Sequence, residues 1–479
     1  MRERTVVQVA VLPVVSDGNG RGRDAVSRIG GKRVMIDDSS TERVVDDALT
    51  SEARARAEET LIANGGELGL LGSHSAYQQV WARDSMICGL GLLLCAGTEG
   101  AAIQHRSLDT LRRFQTPLGN IPHNMGVAGV ADPALVAHGG RLESLGTTDP
   151  GEATIVRDTI HSGCIDNSLW YIIGHYYTYA LRGHRGLVAE AWESLERALL
   201  WLRYQDSNEC GLLEVHEAMD WNDLFANRYN VLYDNVLYYA AWRAMAAMAD
   251  ALGRPSAFYR DTAADVRKKI NVVLWVGSEE PKDYAWIARE RREWLYTLRR
   301  VETELVERPF YLPYMAFRDY ADRFDTLGNV LAILFGVADQ RKMDKILDYI
   351  HDCGLDQPFP VRAIYPVINP GDRDWREYYR VRNLNLPHHY HNGGAWPFIG
   401  GFYVAALVRA GRQTEAQRQL EALTRMNHLG KDGTWGFNEW SHGQSGRPMG
   451  YDRQSWSAAM YVFAHDCVTR GDVTPFHLE

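Results

Sequence analysis

Helical segments that alternate between apolar all round and amphipathic predict an all-α protein, an (α/α)6 barrel with an inner ring of helices inside an outer one. Three observations carry this. Helical periods dominate the 479 residues, and strand signals are confined to short pieces between them. Twelve candidate helices fall near 52–64, 83–96, 101–115, 165–182, 187–205, 231–252, 256–274, 324–336, 339–352, 396–410, 413–426 and 453–469. Charge alternates along them: six charged residues lie between 256 and 271, against two between 231 and 249.

The even-numbered segments are the apolar ones. They include Asp84 to Leu94, Ser168 to Tyr177, Val231 to Trp242, Leu327 to Ala338, Trp396 to Val408 and Trp456 to Ala464. A helix hydrophobic nearly all round is buried, whereas one with a charged face lies at the surface. Gly183, Gly253 and Gly411 each follow a last periodic residue, as helix ends favour. Short connections make neighbours antiparallel, so the six inner helices share a direction and their N-termini share one face. Residues 1–50 read as an N-terminal extension, with a flexible leader at 16–33, and 51–479 as the barrel. The Arg- and Glu-rich segment 277–323 reads as an insertion, a solvated helical pair before a lid or an oligomer contact.

Composition narrows the function. Lys and Arg number 52 against 61 Asp and Glu, a net charge of −9, which opposes a nucleic-acid partner. No apolar run reaches the length of a membrane span. The six cysteines form no CxxC pair and several sit in apolar helices, which predicts free thiols in a cytoplasmic protein. A homo-oligomer stays open, and no cofactor or metal is expected. His388, His389 and His391 are too tightly spaced, without a cysteine, for a good metal set.

Polar, aromatic-rich motifs precede each inner helix. They are Tyr77 to Asp84, Cys164 to Ser168, Glu217 to Asp223, Arg323 to Asp325, His388 to Trp396, and Trp435 to Trp440 leading to Trp456. The barrel brings all six to one cup. A cup of Trp, Asp, Glu, Asn and His, without a phosphate loop or nucleophile elbow, suits a small carbohydrate and glycoside hydrolysis, which needs two carboxyl groups. Asp223, near Trp221 and Phe225, and Glu439, between Phe437 and Trp440, are the candidates, since apolar surroundings raise an acid's pKa. The plainer alternatives are helix capping for Asp220 and Asp223, an exposed loop carboxylate for Glu439, and a structural ion pair for Arg83 and Asp84. Glu217 and Glu214 are lesser competitors.

Several stretches resemble the alkaline/neutral invertase family: Asp325 to Ile350, Tyr365-Pro366, Tyr390 to Pro397, and Gln454-Ser455-Trp456-Ser457. In the front half, Trp81 to Asp84 and the block from Asp220 to Asn235 resemble the α-1,6-glucosidase domain of glycogen-debranching enzymes. Both families are inverting hydrolases of α-glucosides on (α/α)6 barrels. The resemblance implies Asp223 as general acid, with Asp220 its rival, and Glu439 as general base. It implies sugar-binding roles for Arg83, Asp84, Asp166, His391, Asn392 and Trp396. Trp81, Trp221, Trp396 and Trp440, at helix mouths, are the expected stacking surfaces, and Tyr77 lines the same cup. Asn222 and Asn438 depart from the families' patterns. The expected activity is exo-cleavage of a small α-glucoside. Sucrose hydrolysis, sugar 2-epimerisation and a non-catalytic sugar-binding barrel are the alternatives.

Overall fold

The computed structural model describes residues 38–127, 142–146, 155–158, 163–277, 282–305, 307–430 and 433–478. The leader at 16–33 lies outside them. Val45–Glu479 is one compact unit; of the separate unit Met1–Val44, only 38–44, the opening of a helix, is described.

Six helices form the inner ring: α2 (Ala82–Leu92), α4 (Asp166–Arg182), α6 (Leu232–Leu252), α10 (Thr326–Leu334), α12 (Pro397–Arg409) and α14 (Ser455–Arg470). Each packs on the next in that order, and α14 returns to α2, which closes the ring. Between them in sequence come α1 (Asp38–Ala63), α3 (Glu99–Arg113), α5 (Arg185–Arg203), α7 (Ala257–Leu274), α11 (Gln340–Asp352) and α13 (Gln413–His428). The reason for the two rings is in the side chains. Every residue from Pro397 to Val408 of α12 is buried, whereas α11 buries Lys342, Met343, Ile346, Leu347 and Ile350 and turns its other face to water. Close approach within the inner ring depends on glycine. A Cβ at Gly91 of α2 would lie 2.3 Å from the Ala459 carbonyl oxygen of α14, and one at Gly401 of α12 would lie 2.5 Å from that of Met460.

The insertion holds two helices, α8 (Tyr284–Glu290) and α9 (Arg292–Glu304). The pair is only half solvated. Trp294, Leu298 and Val301 are buried, and the Trp294 indole N–H donates to Asn230 Oδ1 at 3.0 Å, because α9 carries an apolar stripe that the charge count of this segment conceals.

The strands are short and sit at the helix mouths. β1 (Val80–Trp81) pairs with β2 (Asn124–Val127), which continues to β4 (Ile155–Asp158) and β3 (Leu142–Gly146). β5 (Asn230–Val231) pairs with β6 (Tyr314–Ala316), and that with β7 (Asp319–Tyr320). β8 (Phe324–Asp325) pairs with β9 (Ile364–Tyr365), and β10 (Trp440–Ser441) with β11 (Pro448–Met449).

A repeated backbone bond ties these mouths together. Ala82 N–H donates to the His123 carbonyl (2.9 Å), Ile165 to Met219 (3.3 Å) and Leu232 to Pro313 (2.8 Å). Thr326 donates to Ala363 (3.0 Å), Ala395 to Ser441 (2.8 Å) and Ser455 to Gly72 (2.9 Å). Each inner helix thus spends an N-terminal N–H on the loop of the next one round the ring. All six N-termini are on one face, and the loops that carry the candidate residues form one continuous rim.

Candidate active site

The first layer above the helices is ionic. At α2 and α4 no side chain caps the helix, and the acidic residues of their first turns face one another instead. Arg83 Nη1 donates to Asp166 Oδ2 at 2.9 Å, and its Nε lies 3.7 Å from Asp84 Oδ2. The partner of Arg83 is therefore chiefly Asp166, across the ring, rather than its neighbour in sequence. Tyr233, in the first turn of α6, donates to the same Asp166 oxygen at 3.1 Å and accepts the Trp170 indole N–H at 2.8 Å. Arg83 and Asp166 are buried, while Asp84 is half-buried. Burial pushes the Asp84 carboxyl up to about 6; Arg83 opposes that rise, and Asp166 and Asp223 add to it.

Asp220 and Asp234 adjoin this cluster, since the charges of Asp166 and Arg83 reach both. Asp220 is 1% exposed; Asn222 N–H donates to its Oδ1 at 2.7 Å, and its Oδ2 has no hydrogen-bond partner among the described residues. Burial, then the charge of Asp166, holds Asp220 well above the ordinary carboxylate range; Asp234 is raised too, by burial and then by Asp220. Asp325, before α10, is pushed up to about 7 by burial, against the N–H groups of Gly328 and Leu327. Capping does not explain Asp220 and Asp223, because the N-cap of α6 is Val231.

Glu439 is on the facing wall, just before β10, and is 5% exposed rather than a loop carboxylate in water. The Tyr77 hydroxyl donates to Oε1 at 3.3 Å and Tyr451 N–H to Oε2 at 3.2 Å. The Glu439 N–H in turn donates to the Tyr451 carbonyl at 2.8 Å. Gly450 has φ +69°, and a Cβ there would lie 2.4 Å from Oε2, so the hairpin closes on the carboxylate only with glycine. Burial pushes Glu439 up to about 7; the Tyr451 N–H and the Tyr77 hydroxyl hold it down, and Asp223 and Asp84 raise it further. Asp223 is half-buried, and its charge reaches Glu439, Tyr77, Tyr390, Asp84 and Arg83. The two carboxylates thus face one cup from opposite halves of the chain.

The walls are aromatic. The Trp221 ring is 4.9 Å from His391, 5.6 Å from Trp396 and 5.5 Å from Phe398. Tyr390 lies 4.9 Å from Trp396 and 5.8 Å from Trp440. On the other side Tyr77 packs edge-on to Trp81 and Tyr451, and Trp81 to His123. The indole N–H groups of Trp81, Trp221, Trp440 and Trp456 have no acceptor among the described residues. Buried donors are nearly always satisfied in folded proteins, so their concentration here suits a hydroxyl-bearing ligand.

All thirteen candidates lie on this rim, yet two differ from their expected part. Trp396 is fully buried and donates to the Tyr390 carbonyl at 3.1 Å, so it backs Tyr390 rather than offering a face. The Asn392 amide is spent on the loop: it accepts from Ile368 N–H and donates to the carbonyls of Ile368 and Asn385, which leaves it a shaping residue. Glu217 is clasped by Arg376 and Tyr378, and Glu214 by Ser207 and Asn208. Tyr233, Tyr390, Tyr451 and Asp234 join the site without having been singled out by sequence. Tyr233-Asp234 lie in the block from Asp220 to Asn235, Tyr390 in the motif that precedes α12, and Tyr451 directly follows the glycine beside Glu439, which was the available signal.

Residues 315–470 match the family model for alkaline and neutral invertase. That segment carries α10, α12, α14 and Glu439, but not Asp223. Cytosolic invertase 1 of Oryza sativa subsp. japonica is 33% identical over 147 residues, 30% of this chain and 25% of that protein. Probable alkaline/neutral invertase D of Arabidopsis thaliana is 33% identical over 147 residues, 30% of this chain and 26% of that one. The match thus spans about a quarter of the length of these plant relatives. Among solved structures, a GH63 mannosylglycerate hydrolase from Thermus thermophilus in complex with glucose aligns over 86% of this chain and 99% of its own, with a TM-score of 0.60 at 15% identity. A bacterial glucoamylase complexed with acarbose aligns over 88% of this chain and 56% of its own, with a TM-score of 0.53 at 13% identity. The fold is the (α/α)6 barrel of these glycosidases.

Proposed function

We propose that the protein hydrolyses the α-glycosidic bond of a small α-glucoside or oligosaccharide by single displacement, with inversion at the anomeric carbon. The observation that supports this reading is that the charge of Asp223 reaches Glu439 and the tyrosines beside it, Tyr77 and Tyr390. Glu439 takes a proton from water as the water oxygen bonds to the anomeric carbon. Asp223 gives its proton to the glycosidic oxygen as the carbon–oxygen bond breaks. The products are a sugar of inverted configuration and the released alcohol. Arg83, Asp84 and Asp166 form a rigid polar floor for the sugar hydroxyls. The same reading puts the protein in a reducing compartment such as the cytoplasm, which suits its six free thiols.

Two observations favour second readings. Asp220, more buried than Asp223, is held well above the ordinary carboxylate range by burial and then by Asp166, the direction that favours a general acid. The match of residues 315–470 to invertases favours sucrose as substrate. Asp223→Asn and Glu439→Gln are each expected to lower kcat by about 10²–10⁴-fold. An α-glucosyl fluoride, whose leaving group needs no proton, identifies the acid: only the variant of the true acid keeps activity on it. Proton NMR of the fresh product of sucrose, isomaltose, trehalose and kojibiose gives substrate and anomer together. Retention of configuration, or wild-type turnover by Glu439→Gln, rejects the proposal.

A further inference from the structure

Beside the cup, on the far side of Trp440, three loops meet: 357–362, 386–393 and the β10–β11 hairpin. They gather His388, His389 and His442 with Arg362 and Arg447. The His389 ring is 5.0 Å from His442 and 5.7 Å from Trp440, and His388 is 6.1 Å from His442. The backbone fixes this arrangement. Gly443 N–H donates to the His388 carbonyl at 2.9 Å, and His388 N–H donates to that of Asn392 at 2.8 Å. His388 holds φ +70° and Tyr390 φ +37°, which non-glycine residues adopt at a cost and which cluster at functional sites. The N–H groups of Gln444 and Ser445 point at His442 Nδ1 at 3.3 and 3.2 Å, so the neutral ring carries its proton on Nε2.

The patch is uncompensated. The charged neighbours that act on His388 are Arg362, His442 and His389; those on His389 are His442 and Arg447; that on His442 is Arg447. All are basic groups, and together with burial they lower the three histidines. Arg362 Nη2 donates to the Gln357 carbonyl at 3.0 Å while its Nε has no partner among the described residues, and the guanidinium of the exposed Arg447 meets only the Met449 sulfur among them. Asp356, the carboxylate whose charge reaches Arg362, already accepts from Gln419 at 2.7 Å. Some arginines elsewhere are held by carboxylates, as Arg308 is by Asp322 and Arg323 by Asp374. Two arginines and three histidines thus lie together, and among the described residues no hydrogen bond ties either guanidinium to a carboxylate. Among the described residues no three His, Cys, Asp or Glu side chains are placed to hold a metal.

We infer that His388, His389, His442, Arg362 and Arg447 form an oxyanion site that takes a phosphate or carboxylate group of the molecule bound in the cup. The inference rests on the glycoside reading for its substrate and deepens it: the glucoside carries a negative charge. Trp440 links the two places, since it follows Glu439 and its other edge meets Tyr390. Guanidinium groups bind such anions by charge-assisted hydrogen bonds, and the N–H of each neutral imidazole adds a further donor.

The test uses the full chain with Glu439→Gln, which binds without turnover. Inorganic phosphate, acetate and chloride are titrated at equal, low ionic strength near pH 7 while the histidine side chains are followed by 1H–15N NMR. Saturable shifts of the three histidines with phosphate or acetate but not chloride are expected, and which anion binds tighter names the group. Arg447→Met should weaken that binding by about fivefold. No saturable shift, or an equal response to chloride, overturns the site whatever the enzyme cleaves. In wild type, a phosphorylated or carboxylated glucoside should show a lower KM than its neutral parent, and His442→Gln should erase that difference without changing kcat/KM for the neutral compound. Equal KM values alongside phosphate binding overturn the link to the substrate.

Discussion

The two walls of the cup hold their acids by opposite means. Around Glu439, in the 315–470 segment that matches the invertase family model, the carboxylate meets a tyrosine hydroxyl and a backbone N–H, and a glycine lets the hairpin close on it. Around Asp220, in the front half, Asp166 and Asp234 crowd into a dry space where Arg83 is the cation among them. The first wall tempers the effect of burial with hydrogen bonds and leaves a group that titrates near neutrality. The second has like charges added to burial, which together hold Asp220 well above the ordinary carboxylate range. Two buried carboxylates are thus set apart by what else surrounds them, hydrogen bonds for Glu439 and like charges for Asp220.

The comparison breaks most visibly if the single cation is removed. Arg83→Leu leaves Asp166 buried without its ion pair, and a loss of about 3–5 kcal/mol is expected, read by urea unfolding at pH 7.5. The Asp166→Asn, Arg83→Leu double variant should recover part of that loss. A loss as small as that of a surface arginine means the floor is not organised by Arg83.

A smaller effect concerns stability and pH. Glu439 and Asp325 are raised to about 7 and Asp84 to about 6, so the folded state binds more protons than the unfolded state between the ordinary carboxylate range and pH 7. Their contribution to stability is therefore fully present in acid and declines as pH rises through that window. Glu439→Gln, which has no charge to bury, should lose less stability between pH 5 and pH 8 than wild type, as thermal unfolding would show. An identical pH slope in both places Glu439 in water.

The smallest effect sharpens the hydrogen-bonded wall. Tyr77→Phe removes the hydroxyl that holds Glu439 down, so the acid limb of kcat/KM, set by the base, should move to higher pH with a modest fall at the plateau. An unmoved limb with a reduced plateau assigns Tyr77 to sugar contact instead.

Much of this was legible in the sequence. The twelve barrel helices follow from the alternation of apolar and charged faces, and the rim residues from their place before the inner helices. What could not be read is equally specific. Nothing local pairs Arg83 with Asp166 rather than with the adjacent Asp84, because that choice depends on how α2 and α4 are set in the ring. The stripe of α9 was hidden by its charges. Trp396 and Asn392 look like ligand-facing residues in a motif, but whether an indole faces the cup or backs a tyrosine is decided by what packs behind it.

By itself, then, the sequence determined the ring of helices and the set of residues at its mouth, since periodicity and helix direction are properties of neighbouring residues. Only the tertiary structure decided which carboxylates lie buried and crowded, which are hydrogen-bonded, and that His388, His389 and His442 gather beside Trp440. Protonation and charge depend on desolvation and on partners remote in the chain, and these exist only once the ring has closed.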